Sequence, residues 1–380
     1  MNERLPSHAA VETALLDKLQ ALLAEIGWQA EVRRHGAPRG SGGWTPDARV
    51  ILKPRGGNRT ELWVEVKSDV RPGLFEHWAR SRRPREGPHG AVPVLATTSI
   101  SDRLADLCRQ EGWSWYDLAG NCWIDVPDVL HIERRGNPPV HRPARTGANL
   151  ISPAAARVVR ALLTPAHASI PAWTHRRLLD ETCWKLIPQD RPVSIGLINK
   201  VVRHLRDEGF VEDAKEGGIR LRDPKGLLDA WDKAYRFDRH ERRSYFTLLK
   251  GPPLEEALYR TGAGGMAAYA AFSAAERQAP HVRQAKTWVY VAARYLDAMV
   301  QQADAKPVDS GENLVVLIPD DSGVFRSFEA DGFIDEKKLH PTDPVQTYVD
   351  LHHCGGRGEE AAQALLEQKL LPAWHQARLL

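Results

Sequence analysis

Apolar residues recur at helical spacing near the start of the chain. Val11, Leu15, Leu19, Leu22, Leu23 and Ile26 form one stripe, which predicts a helix over residues 7–27. A strand is expected over 28–35 and a glycine-rich loop over 37–44. In residues 59–68 the period is two: Leu62, Val64 and Val66 alternate with Trp63, Glu65 and Lys67, so the two sets face opposite ways. The apolar run 46–52 precedes them, and Pro54-Arg55-Gly56-Gly57-Asn58 between the two runs predicts a hairpin. Helices follow over 74–83 and over 101–111, the second capped by Ser101. Strands are expected over 91–97, 113–116, 122–126 and 129–133, which makes a mixed sheet with helices between its strands.

Residues 136–151 have no period and are rich in Pro, Gly and Arg, so they read as a linker. Ser152-Pro153 then opens a helix. Further helices are predicted over 173–183 and 194–208, with Ile195, Ile198, Val202 and Leu205 turned inward. Residues 210–213 and 219–222 form a strand–glycine turn–strand. A helix over 227–237 leads to a last region with helices at 254–259, 265–275, 344–352 and 358–371 and strands at 286–291 and 314–319. The chain is therefore read as a multidomain α/β protein with segments 1–148, 149–236 and 237–380.

The 380 residues are 42% hydrophobic and 27% charged, enough for sizeable cores. A net charge of +3 is no polycation, so contact with nucleic acid must come from local basic faces. Cys108, Cys122, Cys183 and Cys354 lack paired metal-ligand spacing, which makes a reduced, cytoplasmic setting the expectation. The N-terminus is amphipathic, unlike a signal peptide, and no apolar run is long enough to span a membrane.

The predicted hairpin brings Asp47 near Glu65 and Lys67. Carboxylate oxygens suit Mg²⁺, and a lysine can orient a water or stabilise charge on phosphate. The plain account is a cross-strand charge pair. Pro46-Asp47 followed by Glu65-Val66-Lys67 resembles the PD-(D/E)XK motif of restriction-endonuclease-like proteins, over roughly the first third of the chain. That resemblance implies a nuclease-like domain in which Asp47 and Glu65 hold Mg²⁺ and Lys67 serves the attacking water. Glu12 on the first helix is a candidate further acid, and Arg80, Arg82 and Arg83 are candidate phosphate contacts. Residues 116–125, YDLAGNCWID, and residues 343–367 are similar to segments of AbiEi-like antitoxins of toxin–antitoxin systems. Asp117 and Asn121 also suit a plain turn.

Three helices followed by a hairpin resemble a winged helix-turn-helix. The resemblance implies a DNA face made of Ser194, Asn199, Lys200, Arg203 and His204 on the third helix, Lys215 at the hairpin tip, and Arg220 and Arg222 on its return strand. In the last region, Gly262-Ala263-Gly264-Gly265 lacks the lysine of a phosphate loop. Asp320-Asp321-Ser322-Gly323 reads as a turn, and His352-His353-Cys354 diverge on a helix. Three readings stand: a regulator of the AbiEi type that binds double-stranded operator DNA and has a cognate toxin; a Mg²⁺-dependent DNA endonuclease; and an adaptor that docks a protein.

Overall fold

The leucine stripe folds as α1 (His8–Glu25), with Val11, Leu15, Leu16, Leu19, Leu22 and Leu23 buried. The computed structural model describes residues 8–34, 44–53, 60–82, 91–140, 150, 152–182, 192–262, 266–326 and 339–380. The turn expected at 54–58, most of the glycine loop, Arg83, most of the linker, Cys183 and residues 263–265 lie outside that description. The chain divides into two units, residues 1–146 with 207–209, and residues 147–206 with 210–380.

In the first unit seven strands lie side by side in chain order. They are β1 (Gln29–Arg34), β2 (Ala48–Lys53), β3 (Thr60–Lys67), β4 (Val92–Thr97), β5 (Ser114–Asp117), β6 (Cys122–Val126) and β7 (Leu130–Arg134). The outer pairs are antiparallel, whereas β3–β4 and β4–β5 are parallel. A parallel pair needs a crossover. α2 (Pro72–Ala79) and α3 (Asp102–Gln110) supply the two crossovers. Ser101 caps α3 by accepting from the Leu104 amide at 3.2 Å.

Strand alternation sorts residues into two cores. Leu62, Val64, Val66, Val94, Ala96 and Tyr116 pack with the α1 leucines. Their neighbours Leu95 and Trp115 pack the other way, with Phe75 of α2, Leu104 and Cys108 of α3, and Trp113. Each such buried aliphatic side chain contributes roughly 1.5–3 kcal/mol. Glu65 lies on this second face and is buried with it.

The second unit begins with α4 (Pro153–Leu163), α5 (His175–Thr182), α6 (Ile195–Asp207), the hairpin β8 (Val211–Asp213) and β9 (Ile219–Leu221), and α7 (Pro224–Ala234). Ser152 and Asp223 cap α4 and α7 by accepting from the Ala155 and Gly226 amides. A five-stranded sheet follows. It contains β10 (Glu241–Phe246), β11 (Ala267–Tyr269), β12 (Thr287–Val291), β13 (Lys306–Pro307) and β14 (Leu314–Ile318), in the order β11-β12-β14-β10-β13, with β12 and β14 parallel. Around it are α8 (Pro252–Gly262), α9 (Ala271–Gln278), α10 (Leu296–Gln302), α11 (Pro344–His353), α12 (Gly358–Leu365) and α13 (Leu371–Gln376).

The sheet has more strands than the sequence pattern predicts. Residues 265–275, expected as one helix, divide into β11 and α9, because Ala267 to Tyr269 pair with Val291 to Val289 of β12. An alanine-rich run carries no strand signal of its own, so the partner decides. β10 is polar along most of its length and shows no alternation.

Segments 149–236 and 237–380 share one apolar core. Leu162 and Leu163 of α4, Leu227 and Trp231 of α7, Val345 and Val349 of α11, and Trp374 belong to the same cluster. The Trp374 indole donates to the Leu163 carbonyl at 3.0 Å. Polar groups are sealed in as well. Asp350 on α11 accepts from the Tyr235 hydroxyl at 2.6 Å, the Gln346 amide at 2.8 Å and the Tyr290 hydroxyl at 3.0 Å.

Burial pushes the Asp350 carboxyl up to about 7 and that of Asp343 to about 6. Between its ordinary value and about 7, Asp350 holds more proton in the folded chain than in the unfolded one. Its contribution is therefore complete below the ordinary carboxylate range and is lost as pH rises through 7. Asp350→Asn should flatten the fall in melting temperature between pH 5 and 8 and leave a residual slope from Asp343. The difference at pH 8 should be on the order of 2–4 kcal/mol. Parallel melting curves for the two proteins across that range would remove Asp350 from this account.

Candidate functional site

Strand register makes the acidic site of the first unit. Ala48 pairs with Val64, so Asp47, one residue before β2, arrives beside Glu65 and Val66. Its Oδ2 accepts from the Val66 amide at 2.8 Å. Lys67, two residues on from Glu65, shares its face. The Lys67 ammonium lies 2.8 Å from Glu65 Oε1 and 3.7 Å from Asp47 Oδ2, between the two carboxylates. Asp47, Glu65 and Lys67 are thus brought together.

Two further groups close on Glu65. Arg82, just beyond α2, donates to Oε1 at 2.5 Å, and the Trp44 indole donates to Oε2 at 2.9 Å. Trp44 is held by rings, with its centroid 5.2 Å from Trp113 and 5.7 Å from Trp63. Both Glu65 oxygens are therefore engaged, and two cations balance the two carboxylates. As arranged, the donor set does not fit a Mg²⁺ ion, because Lys67 pairs with both carboxylates and Arg82 adds a second positive charge on Glu65. Among the described residues no three His, Cys, Asp or Glu side chains are placed to hold a metal ion, so Glu12 forms no such group with Asp47 and Glu65.

The other candidates of the first unit have structural partners. Arg80 pairs with Glu76 and Glu111, both at 3.0 Å. Asp117 accepts from the Asn121 amide and side chain at 3.0 Å, which closes the turn around Gly120.

In the second unit α6 buries Ile198, Val201, Val202 and Leu205. Asn199, Lys200 and Arg203 stand exposed on the opposite side, and His204 is half-buried at its edge. Ile195, expected inward, is 44% exposed, since the first turn of α6 extends past the core. Val201 takes the inward place. Ser194 accepts from the Leu197 amide at 3.2 Å and caps the helix. Among the described residues neither Lys200 nor Arg203 has a carboxylate partner.

The hairpin is different. Lys215 is exposed at its tip. Arg220 donates to Glu212 at 2.5 Å, the cross-strand partner set by register, and Arg222 lies 4.0 Å from the same carboxylate. Arg206 of α6 donates to Asp213 at 2.7 Å. Such exposed pairs contribute about 0–1 kcal/mol each, so a phosphate can compete for these arginines. The sequence reading missed the anchor of the hairpin: Trp173 exchanges two backbone hydrogen bonds with Ile219, at 2.7 and 2.9 Å. This adds a third strand segment beside β9.

Comparison with known proteins bears on the second unit. A family model described as a transcriptional regulator, the AbiEi antitoxin of a type IV toxin–antitoxin system, matches residues 220–371. No curated protein and no solved structure matches the chain. The AbiEi match begins in β9 and covers α7, the five-stranded sheet, α11 and α12, while α6 lies before it. It includes residues 343–367 and leaves out 116–125.

The structure explains much of the 343–367 stretch. Asp343 caps α11 by accepting from the Val345 amide at 2.9 Å. Gln346 and Asp350 enter the buried network. His352 reaches the Asp232 side chain at 3.0 Å and His353 the Asp232 carbonyl at 3.1 Å, which docks α11 on α7. Gly358 lets α12 approach closely, since a Cβ there would meet the Leu351 carbonyl oxygen at 2.0 Å. Among the described residues no helix is long and apolar enough to cross a membrane.

The hairpin tip yields a prediction. Gly217 and Gly218 have φ of +90° and +84°, and a Cβ on Gly218 would also lie 2.4 Å from the Trp173 carbonyl oxygen. Gly217→Ala should cost about 1 kcal/mol from backbone strain alone. Gly218→Ala should cost at least twice that and expose the Trp173 and Ile219 amides to hydrogen exchange. Equal costs, with protection unchanged, would show that the Trp173 anchor is not what holds the hairpin.

Proposed function

We propose that this chain is a DNA-binding transcriptional regulator of the AbiEi antitoxin type, whose winged helix is built from α4, α5, α6 and the β8–β9 hairpin. The observation that carries the reading is the exposed row Asn199, Lys200 and Arg203 on α6, set opposite an apolar face and followed by Lys215 on the hairpin. A helix with that division can enter the major groove while the hairpin reaches the backbone. Arginine and asparagine read base edges, and lysine and arginine hold phosphates. The match over residues 220–371 supports the regulator assignment. Double-stranded operator DNA is the proposed partner, and a cognate toxin is the gene product whose expression the regulator would accompany.

The first unit, on this reading, is a restriction-endonuclease-like domain whose acidic site is neutralised from within by Lys67 and Arg82. It contributes surface rather than cleavage. The convergence of Asp47, Glu65 and Lys67 favours a second reading, a Mg²⁺-dependent endonuclease, which requires Arg82 to withdraw from Glu65.

Two experiments separate these. Lys200→Ala with Arg203→Ala should weaken binding to the chain's own upstream DNA and reduce the slope of log K against log salt by about 2. Unchanged affinity and slope would remove α6 as the DNA face and favour the protein-docking adaptor. In Mg²⁺ or Mn²⁺, linear and supercoiled DNA should remain intact with the wild-type chain. Cutting that disappears in Lys67→Ala would instead establish the endonuclease.

A further inference from the structure

Trp63, Trp44, Trp113, Trp78 and Phe75 of the first unit form a chain of ring contacts, with neighbouring centroids 5.0 to 5.7 Å apart. Two arms reach Glu65 from this cluster. The Trp44 indole donates to Oε2 at 2.9 Å. The Arg82 guanidinium lies over Trp78, 4.8 Å from the ring centroid, and donates to Oε1 at 2.5 Å. Contact with an aromatic face helps to hold a guanidinium in one place.

A carboxylate offers about four lone-pair positions over its two oxygens. On Glu65 two donors already converge on Oε1: Lys67 at 2.8 Å and Arg82 at 2.5 Å. Oε1 is also the oxygen that shares Lys67 with Asp47, so a cation held by both carboxylates competes for it. Two carboxylates face two cations, which leaves no net charge to draw in a divalent ion. The two cations are not equivalent. Lys67 belongs to β3, and strand register sets it beside Glu65. Arg82 arrives from beyond α2 and its side chain is 34% exposed, so it can be altered without disturbing the pairing of β2 with β3.

We propose that Arg82 is the residue that keeps a divalent cation off Asp47 and Glu65, acting through Glu65 Oε1. Loss of its guanidinium alone turns the pair into a divalent-cation site, because it frees a position on Oε1 and leaves the site with a net negative charge. This deepens the reading of the first unit as neutralised from within and rests on it. It does not involve α6.

The test is binding of Mn²⁺ to the full chain, read by electron paramagnetic resonance from the loss of the free-ion signal. Arg82→Gln should bind Mn²⁺ one-to-one, roughly tenfold or more tightly than the wild type does. Arg82→Met keeps an unbranched stem beside Trp78 and should do the same, so a folding defect in one variant does not decide the matter. Adding Asp47→Asn to either variant should abolish the gain, which places the ion at this pair and not on surface carboxylates. A gain that survives Asp47→Asn would overturn the proposal. So would equal Mn²⁺ binding by the wild type and both variants. If that shared binding is tight and lost in Asp47→Asn, the reading of the first unit as neutralised falls with it. If it is weak, only the role of Arg82 falls.

Discussion

The second unit depends on how α4 is held. Every residue of this helix from Ala154 to Leu163 is buried, as a helix at the centre of a core must be. Two of those residues are arginines. Arg157 solves its burial by a bidentate contact with Asp321, which itself caps the short helical turn Ser322–Phe325. Breaking such a pair costs about 3–5 kcal/mol, whereas replacing both partners with apolar groups is often neutral. The net stabilisation from the pair is therefore small, while its geometry restricts how α4 sits. One rotation of α4 satisfies Arg157, and that rotation turns Leu162 and Leu163 toward the shared core and sets the frame on which α5 and α6 pack.

The same electrostatic constraint shapes the first unit with a different outcome. Glu65 is a buried carboxylate, and a buried charge is costly unless it is paired and hydrogen-bonded. Lys67 and Arg82 provide opposite charge, and Trp44 provides a neutral donor. In this arrangement the charges of a constellation that in outline suits a metal are already paired. The chemistry available to Asp47 and Glu65 is decided less by their own positions than by Arg82, which approaches from a different element.

The positions of Asp47, Glu65 and Lys67 were legible because strand period and hairpin pairing bring them together, and both are local properties. Arg82 was legible only as a basic residue on a helix, since its partner is seventeen positions upstream and across a crossover. The helices α4, α6 and α11 could be read from their apolar period and their capping residues. β10 and β11 could not, because one is polar and the other alanine-rich, and each is a strand only by virtue of its neighbour in the sheet. The role of Asp321 was hidden for a related reason. Asp320-Asp321-Ser322-Gly323 does form a turn, but what makes it matter is a guanidinium 164 residues earlier in the chain.

Charge on the proposed DNA face follows the same distinction between local and distant pairing. Arg220 and Arg206 have carboxylate partners supplied by the hairpin, while Lys200, Arg203 and Lys215 have none among the described residues. The paired arginines keep their geometry before any partner arrives, which lowers the entropy lost on binding. In the proposed complex the unpaired cations would supply the long-range attraction, with counterion release on contact with phosphate. A chain with net charge of only +3 can in this way present a strongly oriented basic surface. Its acidic residues are not a uniform diluent: Glu212 and Asp213 restrain particular arginines and leave the unpaired cations on α6 and at the hairpin tip.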